Sequence, residues 1–172
     1  TGVGSETLSL SPGFVTADTT AGMTTLTSDL KRVDLSVERR GDRVDVFLTP
    51  NELWRLSFAV AHEERVGTTS LGGALATSGR FTASTILPAP VDQVTDHIEA
   101  ELGYADERGQ WQVSYHWSRF TNRLDSLVWD VPYVEAGGDA FPSQARSSLA
   151  PSNDYHNLGL SGALNLPAKT RL

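Results

Sequence analysis

At 172 residues, with 39% hydrophobic and 20% charged side chains, the chain is long enough for one core but holds little apolar material for a compact soluble one. It has no cysteine, which excludes disulfides, thiolate metal sites, cysteine nucleophiles and covalent attachment of c-type haem. A net charge of −7 with the 14 basic residues scattered argues against a phosphate-tracking surface, so nucleic acid is not expected as a partner.

Mean hydropathy is −0.24, and no apolar run approaches the ~18 residues of a spanning helix. Thr1 opens the chain without a charged and apolar leader, so any export signal is expected outside the sequence given. Residues 1–29 are rich in Thr, Ser and Gly and read as an irregular or flexible lead-in with no function assigned.

From residue 30 onward the dominant signal is period-two alternation, the mark of strands with one apolar and one polar face. Six segments carry it. Val33, Leu35 and Val37 oppose Asp34, Ser36 and Glu38, with a turn expected at Gly41-Asp42. Val44, Val46 and Leu48 oppose Arg43, Asp45 and Thr49, and Pro50-Asn51 closes that segment.

Trp54, Leu56, Phe58 and Val60 then oppose Arg55, Ser57, Ala59 and Ala61, and the chain becomes charged at His62-Glu63-Glu64-Arg65. A long loop is expected near 66–91. Val94, Ile98, Ala100, Leu102 and Tyr104 oppose Thr95, His97, Glu99 and Glu101, and a short turn falls in DERGQ. In the clearest case Trp111, Val113, Tyr115 and Trp117 alternate with Gln112, Ser114, His116 and Ser118. After a second long loop near 124–152, Leu158, Leu160, Leu164 and Leu166 oppose Asn157, Ser161 and Asn165, and Pro167-Ala168 makes a further turn.

Segments of this length exceed the usual five or six residues of soluble strands and approach the ~9–11 that a tilted strand needs to cross a bilayer. The two long connections fall on one side and the short turns on the other, as in outer-membrane meanders. Trp54, Tyr104 and Trp111 sit beside short turns, where an interfacial aromatic belt would run, while Tyr155 and Phe120 lie towards the other rim. The expected fold is all-β: an antiparallel up-and-down meander of about six strands over 30–172, part of a large transmembrane β-barrel. The alternative is a soluble β-sandwich, with the aromatics in its core.

Chemistry-bearing constellations are sparse. The histidines, His62, His97, His116 and His156, form no ligand-spaced pair, so no metal site is expected and a polar lumen is their simplest place. His97, His116 and Ser118 with Glu99 could be drawn as a hydrolase site, and Glu99 with Glu101 as an acid–base pair, but nothing local supports either, and no catalytic residue is assigned. Trp111, Tyr115 and Trp117 could stack on a sugar in a carbohydrate-binding module. Gly72-Gly73 and Gly137-Gly138 lack the following Lys-Ser/Thr of a phosphate loop.

Several phrases, LTPNELWRLSFAVAHEERVG, LPAPVDQVTD, SYHWSRFTNRLDSLVWDVPY and LAPSNDYHNLGLSGALNLPAKTRL, in this order and spacing, resemble the decahaem-associated outer-membrane proteins of the MtrB/PioB type. The likeness runs from about residue 30 and is densest over 88–172. Members of that family are longer and close barrels of more strands, so the resemblance implies one piece of a barrel wall. It further implies a bacterial outer-membrane location and a porin-like, non-enzymatic sheath that binds no cofactor of its own.

The implied partners are a periplasmic decahaem c-type cytochrome, whose haems would carry electrons across the membrane, an extracellular multihaem cytochrome as a second candidate, and outer-membrane lipid. On that reading the lumen-facing candidates are His97, Glu99, Glu101, Gln112, Ser114, His116, Asn157 and Ser161. The lipid-facing or belt candidates are Trp54, Leu102, Tyr104, Trp111, Val113, Tyr115, Trp117, Leu158 and Leu160. A general diffusion porin and the soluble carbohydrate-binding β-sandwich remain alternatives.

Overall fold

The computed structural model describes residues 5–78, 81–134, 142–166 and 170–171. They form nine strands with two short helical turns. In chain order the strands are β1 (Ser5–Leu8), β2 (Val37–Leu48), β3 (Trp54–Ser78), β4 (Phe81–Ala105), β5 (Gly109–Asn122), β6 (Ser126–Asp130), β7 (Gln144–Ser148), β8 (Asn153–Leu166) and β9 (Thr170–Arg171). The fold is thus all-β. A six-stranded sheet has the order β2-β3-β4-β5-β8-β9, and a three-stranded sheet the order β1-β6-β7. The pairs β5–β8, β6–β7 and β8–β9 are antiparallel, and β1–β6 is parallel.

The chain divides into two compact units. One, the wall, comprises Arg39–Glu64, Gln93–Thr121 and Ser152–Leu172. The other comprises Thr1–Glu38, Arg65–Asp92 and Asn122–Pro151.

In the wall, β5 and β8 run antiparallel in one unbroken register, Trp111 opposite Gly162, Val113 opposite Leu160, Tyr115 opposite Leu158 and Trp117 opposite His156. Opposed residues share a face, so the apolar sets of the two strands coincide. The β3–β4 ladder is fixed in the same way: the Leu53 carbonyl accepts from the Ala105 N–H at 2.9 Å, and Trp54 meets Tyr104 edge to face at 4.9 Å.

The apolar side chains of this face are open to solvent. Leu160 is 80% exposed, Leu158 74% and Val44 64%, and Leu56, Phe58, Val60 and Leu164 are exposed as well. In a soluble β-sandwich these residues would be covered by a facing sheet. The sheet is therefore a stretch of barrel wall, with β2 at one edge and β9 at the other, and not half of a sandwich.

The second unit has an ordinary interior. Strand β6 lies between β1 and β7, with Ser126 buried on one face and Leu127 (0% exposed) and Trp129 (4%) on the other, while Val128 and Asp130 are half-buried. Ala89, Leu71, Leu75 and Leu87 pack around them. The Trp129 indole donates to the Ala74 carbonyl at 3.0 Å, satisfying its buried N–H. Gly73 gives them room, since a Cβ would lie 2.4 Å from Leu87 Cδ1 and 3.3 Å from the indole and Leu87 would have to shift. A second cluster joins Met23, Val131 and Tyr133, flanked by Phe14, Ala17 and Leu26.

Several expectations are corrected. Residues 66–91 are not a long loop. Apart from 79–80, which lie outside the described residues, they belong to β3 and β4. Their Thr, Ser and Gly content suggested a loop, but threonine is a good strand former and Gly73 serves packing. The expected loop 124–152 contains β6 and β7. Strand β6 was invisible to an alternation search, because a strand covered on both faces reads as a continuous apolar run.

Of the expected lead-in 1–29, the described residues 5–29 are irregular for most of their length, but they supply β1, the two helical turns and the buried Met23, so they are packed and not a loose arm. No turn occurs at Gly41-Asp42. Strand β2 passes through it unbroken, and 33–36 precede the strand. The turn expected at Pro167-Ala168 and the pair Gly137-Gly138 lie outside the described residues.

Candidate functional site

The two faces of the wall differ in chemistry from end to end. On the polar face, Arg43 of β2 donates from Nη2 to Glu99 Oε2 of β4 at 2.8 Å and from Nε to Asp45 Oδ1 at 3.0 Å. The β3 residues in this region are small: Ser57 and Ala59 line the same hollow as Arg43, Asp45, Glu99, Glu101 and His116, and Ala59 is buried. A larger side chain on β3 would block the reach of Arg43 to Glu99. His116 Nδ1 lies 4.0 Å from Glu99 Oε1, which extends the charged row to β5. Arg39 pairs with Glu63 on the same sheet.

Next to this row, Glu101, Gln112 and Ser161 line a second open hollow. The register continues the polar set into β8, where His116 faces Asn157 and Gln112 faces Ser161. Ser114 faces Gly159, whose missing side chain leaves space for the Ser114 hydroxyl. The expected polar candidates are thus brought onto one surface; His97 joins them by alternation with Glu99 and Glu101. All the ion pairs named here are at least a quarter exposed, so each contributes modestly to stability.

The opposite face is organised in bands. At the end near the β2–β3 and β4–β5 connections, Trp54, Tyr104 and Trp111 form one aromatic cluster. Trp54 meets Trp111 edge to face at 5.4 Å, and Tyr104 stacks on Trp111 at 5.9 Å. Beyond it come Leu56, Phe58, Leu102, Val113, Tyr115, Leu158 and Leu160. The band then ends in charge: His62 pairs with Asp96 at 2.7 Å, and Arg119 lies 3.7 Å from Asp154.

Trp54 to His62, Tyr104 to Asp96 and Trp111 to Arg119 are equal numbers of residues, each about 26 Å along a strand. At the ordinary barrel tilt this is a band about 20 Å tall, close to the ~25 Å apolar belt of outer-membrane barrels.

The histidines split between the faces. His62 ends the apolar band, and His156 is opposite Trp117 with its Nδ1 2.9 Å from the Tyr115 hydroxyl. Polar-face placement therefore holds for His97 and His116 only. Tyr155 and Phe120 face Ser118 and Asn153, on the polar side, and so form no second aromatic belt with the apolar set. Among the described residues, no three His, Asp or Glu side chains converge as metal ligands.

Sequence reasoning missed the reach of Arg43 to Glu99, which spans an intervening strand. The type and side of each residue were readable, but the pairing depends on the register.

The β4–β5 turn is built by Asp106. Its Oδ1 accepts from the N–H groups of Arg108 and Gly109, both at 2.9 Å, and the Tyr104 hydroxyl donates to Oδ2 at 3.2 Å. The Arg108 N–H, the strongest influence, and the other donors hold this carboxyl below the usual carboxylate range, despite the opposing effect of desolvation.

Comparison with known proteins agrees with this geometry. The profile of a family described as an outer membrane β-barrel porin, MtrB/PioB, matches residues 1–172. The chain is 30% identical over 166 residues, 95% of its length, to a protein named outer membrane protein MtrB from Shewanella baltica (strain OS185), of which it spans 23%. With its all-β wall, its banded apolar face and this match along its whole length, the chain belongs to the MtrB/PioB family of outer-membrane β-barrel porins.

Proposed function

We propose that the wall sheathes a multihaem c-type cytochrome: its polar face lines the lumen that holds the cytochrome, and its apolar face meets outer-membrane lipid. The observation that carries this reading is the division of one sheet into a banded, mainly apolar face and a mainly polar face of mixed charge centred on Arg43, Glu99 and His116, where Phe47 is an apolar exception. A cytochrome surface facing hydrocarbon would leave polar groups without partners, at several kcal/mol each. A lumen carrying Arg39, Arg43, Glu63, Glu99, Glu101, Gln112 and Asn157 offers both signs of charge and amide groups for that surface.

In this role the chain performs no catalysis and holds no cofactor. Its Arg and Glu side chains pair with one another on an open surface, without a cleft to exclude water, and a cysteine-free sequence cannot attach haem covalently. The haems, and with them the redox chemistry, belong to the partner. The wall contributes insulation, because lipid on one side and the barrel backbone between confine electron transfer to the lumen. An extracellular multihaem cytochrome would take over electrons at the outer end.

A diffusion pore is the second reading, and the family's description as a porin favours it. The test is purification of the full-length parent from outer membranes with haem staining of what accompanies it, followed by conductance in planar bilayers. A co-purifying multihaem cytochrome with little ion conductance supports the sheath. A haem-free barrel with steady conductance overturns it in favour of a pore.

A further inference from the structure

The aromatic belt is interrupted at one point. Across the β5–β8 ladder Trp111 is opposed by Gly162 and Gly109 by Leu164, so each rung pairs a large side chain with none. The result is an open hollow of about 520 Å³ lined by Trp111, Gly109, Gly162 and Leu164 together with Tyr104, Asp106 and Arg108. Gly109 itself cannot be filled, since a Cβ there would lie 2.5 Å from the Ala163 carbonyl oxygen.

The lining carries both charges. The backbone of Arg108 is engaged and its charge acts on Asp106 and Tyr104, while no ion pair within 4 Å or side-chain hydrogen bond holds its guanidinium among the described residues. The Asp106 carboxylate accepts two backbone N–H groups on Oδ1 and only the long 3.2 Å contact from Tyr104 on Oδ2, which leaves acceptor capacity.

We propose that this hollow is a binding site for one zwitterionic glycerophospholipid bearing a primary ammonium, a phosphatidylethanolamine. Its phosphate sits on Arg108, its ammonium on Asp106, and the start of an acyl chain lies in the notch beside Trp111. A guanidinium matches a phosphate in a two-pronged geometry. A carboxylate beside it favours a headgroup with N–H donors over a purely anionic one. The notch removes the side chains that would otherwise occupy the acyl position. This site rests on the reading that the apolar face meets lipid.

The test uses the full-length parent barrel in phosphatidylcholine vesicles doped with one photoactivatable-acyl lipid at a time, carrying an ethanolamine, glycerol or choline headgroup. Cross-linked peptides are mapped by mass spectrometry. Two variants accompany the wild type. Arg108→Gln removes the cation, and Gly162→Leu fills the notch at a position where a Cβ approaches the Gln110 carbonyl oxygen no closer than 3.3 Å.

The ethanolamine probe should label the peptides around Trp111 and Leu164 about tenfold more than the other two, the factor expected for one charge-assisted contact. Both variants should lower labelling of these peptides by every probe, because all three share the phosphate and the acyl chain, while labelling around Val113 and Leu158 persists. Equal labelling by all three probes, or labelling unchanged in both variants, with the mid-band peptides still labelled, overturns the site and leaves the lipid-facing assignment standing. Absence of labelling anywhere on the apolar face overturns that assignment and the site with it.

Discussion

The two units of this chain use the same kinds of residue in opposite ways. In one, Leu127, Trp129 and Ala89 are withdrawn from solvent around the doubly covered strand β6. In the other, Leu158 and Leu160 stand out from a sheet whose far side carries charge. The hydrophobic fraction is nearly the same in the two units; the pattern in which those residues are set differs. A continuous apolar run, LVW, becomes an interior strand, and a strict alternation, WQVSYHW, becomes a strand with two chemically different faces.

The largest expected effect of a single substitution is in the first unit. Trp129→Ala should destabilise it by about 3–5 kcal/mol, since a buried indole is lost and the Ala74 carbonyl loses its donor. Hydrogen–deuterium exchange on the full-length protein should show β6 and residues 71–75 losing protection, with β5 and β8 unchanged. Equal loss in both units would erase the contrast.

Leu160→Arg comes next. A cation on the proposed lipid face near the middle of the band should cost about 2–4 kcal/mol in urea titrations of the parent folded into vesicles, whereas Gln112→Arg on the other face should stay within about 0.5 kcal/mol. Similar costs for the two would contradict the division of faces. Smaller still is the coupling between Arg43 and Glu99. These exposed partners should show less than about 1 kcal/mol in a double-mutant cycle with alanine, and the coupling should shrink as salt is raised.

The smallest effect concerns the β4–β5 turn. Because the Asp106 carboxyl is held below its unfolded value of about 3.9, its contribution is present in full above that pH and fades as pH falls through the lower folded value. Unfolding midpoints of the wild type should therefore decline more steeply below about pH 4 than those of Asp106→Asn. Parallel curves would remove the turn carboxylate from the account.

The wall was the part legible in the sequence. Strands β5 and β8 and the later half of β4 follow from alternation alone, and so do the shared faces of Glu99, Glu101, Gln112 and His116, because a period of two fixes the side of every residue. The belt of Trp54, Tyr104 and Trp111 was visible as aromatics beside turns.

The interior unit was hidden for physical reasons. A strand covered on both faces shows no alternation, Gly73 resembles a turn residue until the indole it accommodates is seen, and β1 acquires its role only by pairing with β6, far along the chain. The banded charges were half visible: Asp96 and Arg119 could be read, but their partners His62 and Asp154 required the register.

The central claim, that one face of the wall meets lipid and the other an aqueous lumen, is tested most directly along β5. Single cysteines placed from 111 to 118 in a cysteine-free background of the full-length parent would be spin-labelled in native-like vesicles, and their collision rates with oxygen and with a water-soluble nickel chelate compared. The account predicts a period of two, with 111, 113, 115 and 117 accessible to oxygen and 112, 114, 116 and 118 accessible to the chelate. Uniform accessibility, or the reverse alternation, would contradict it.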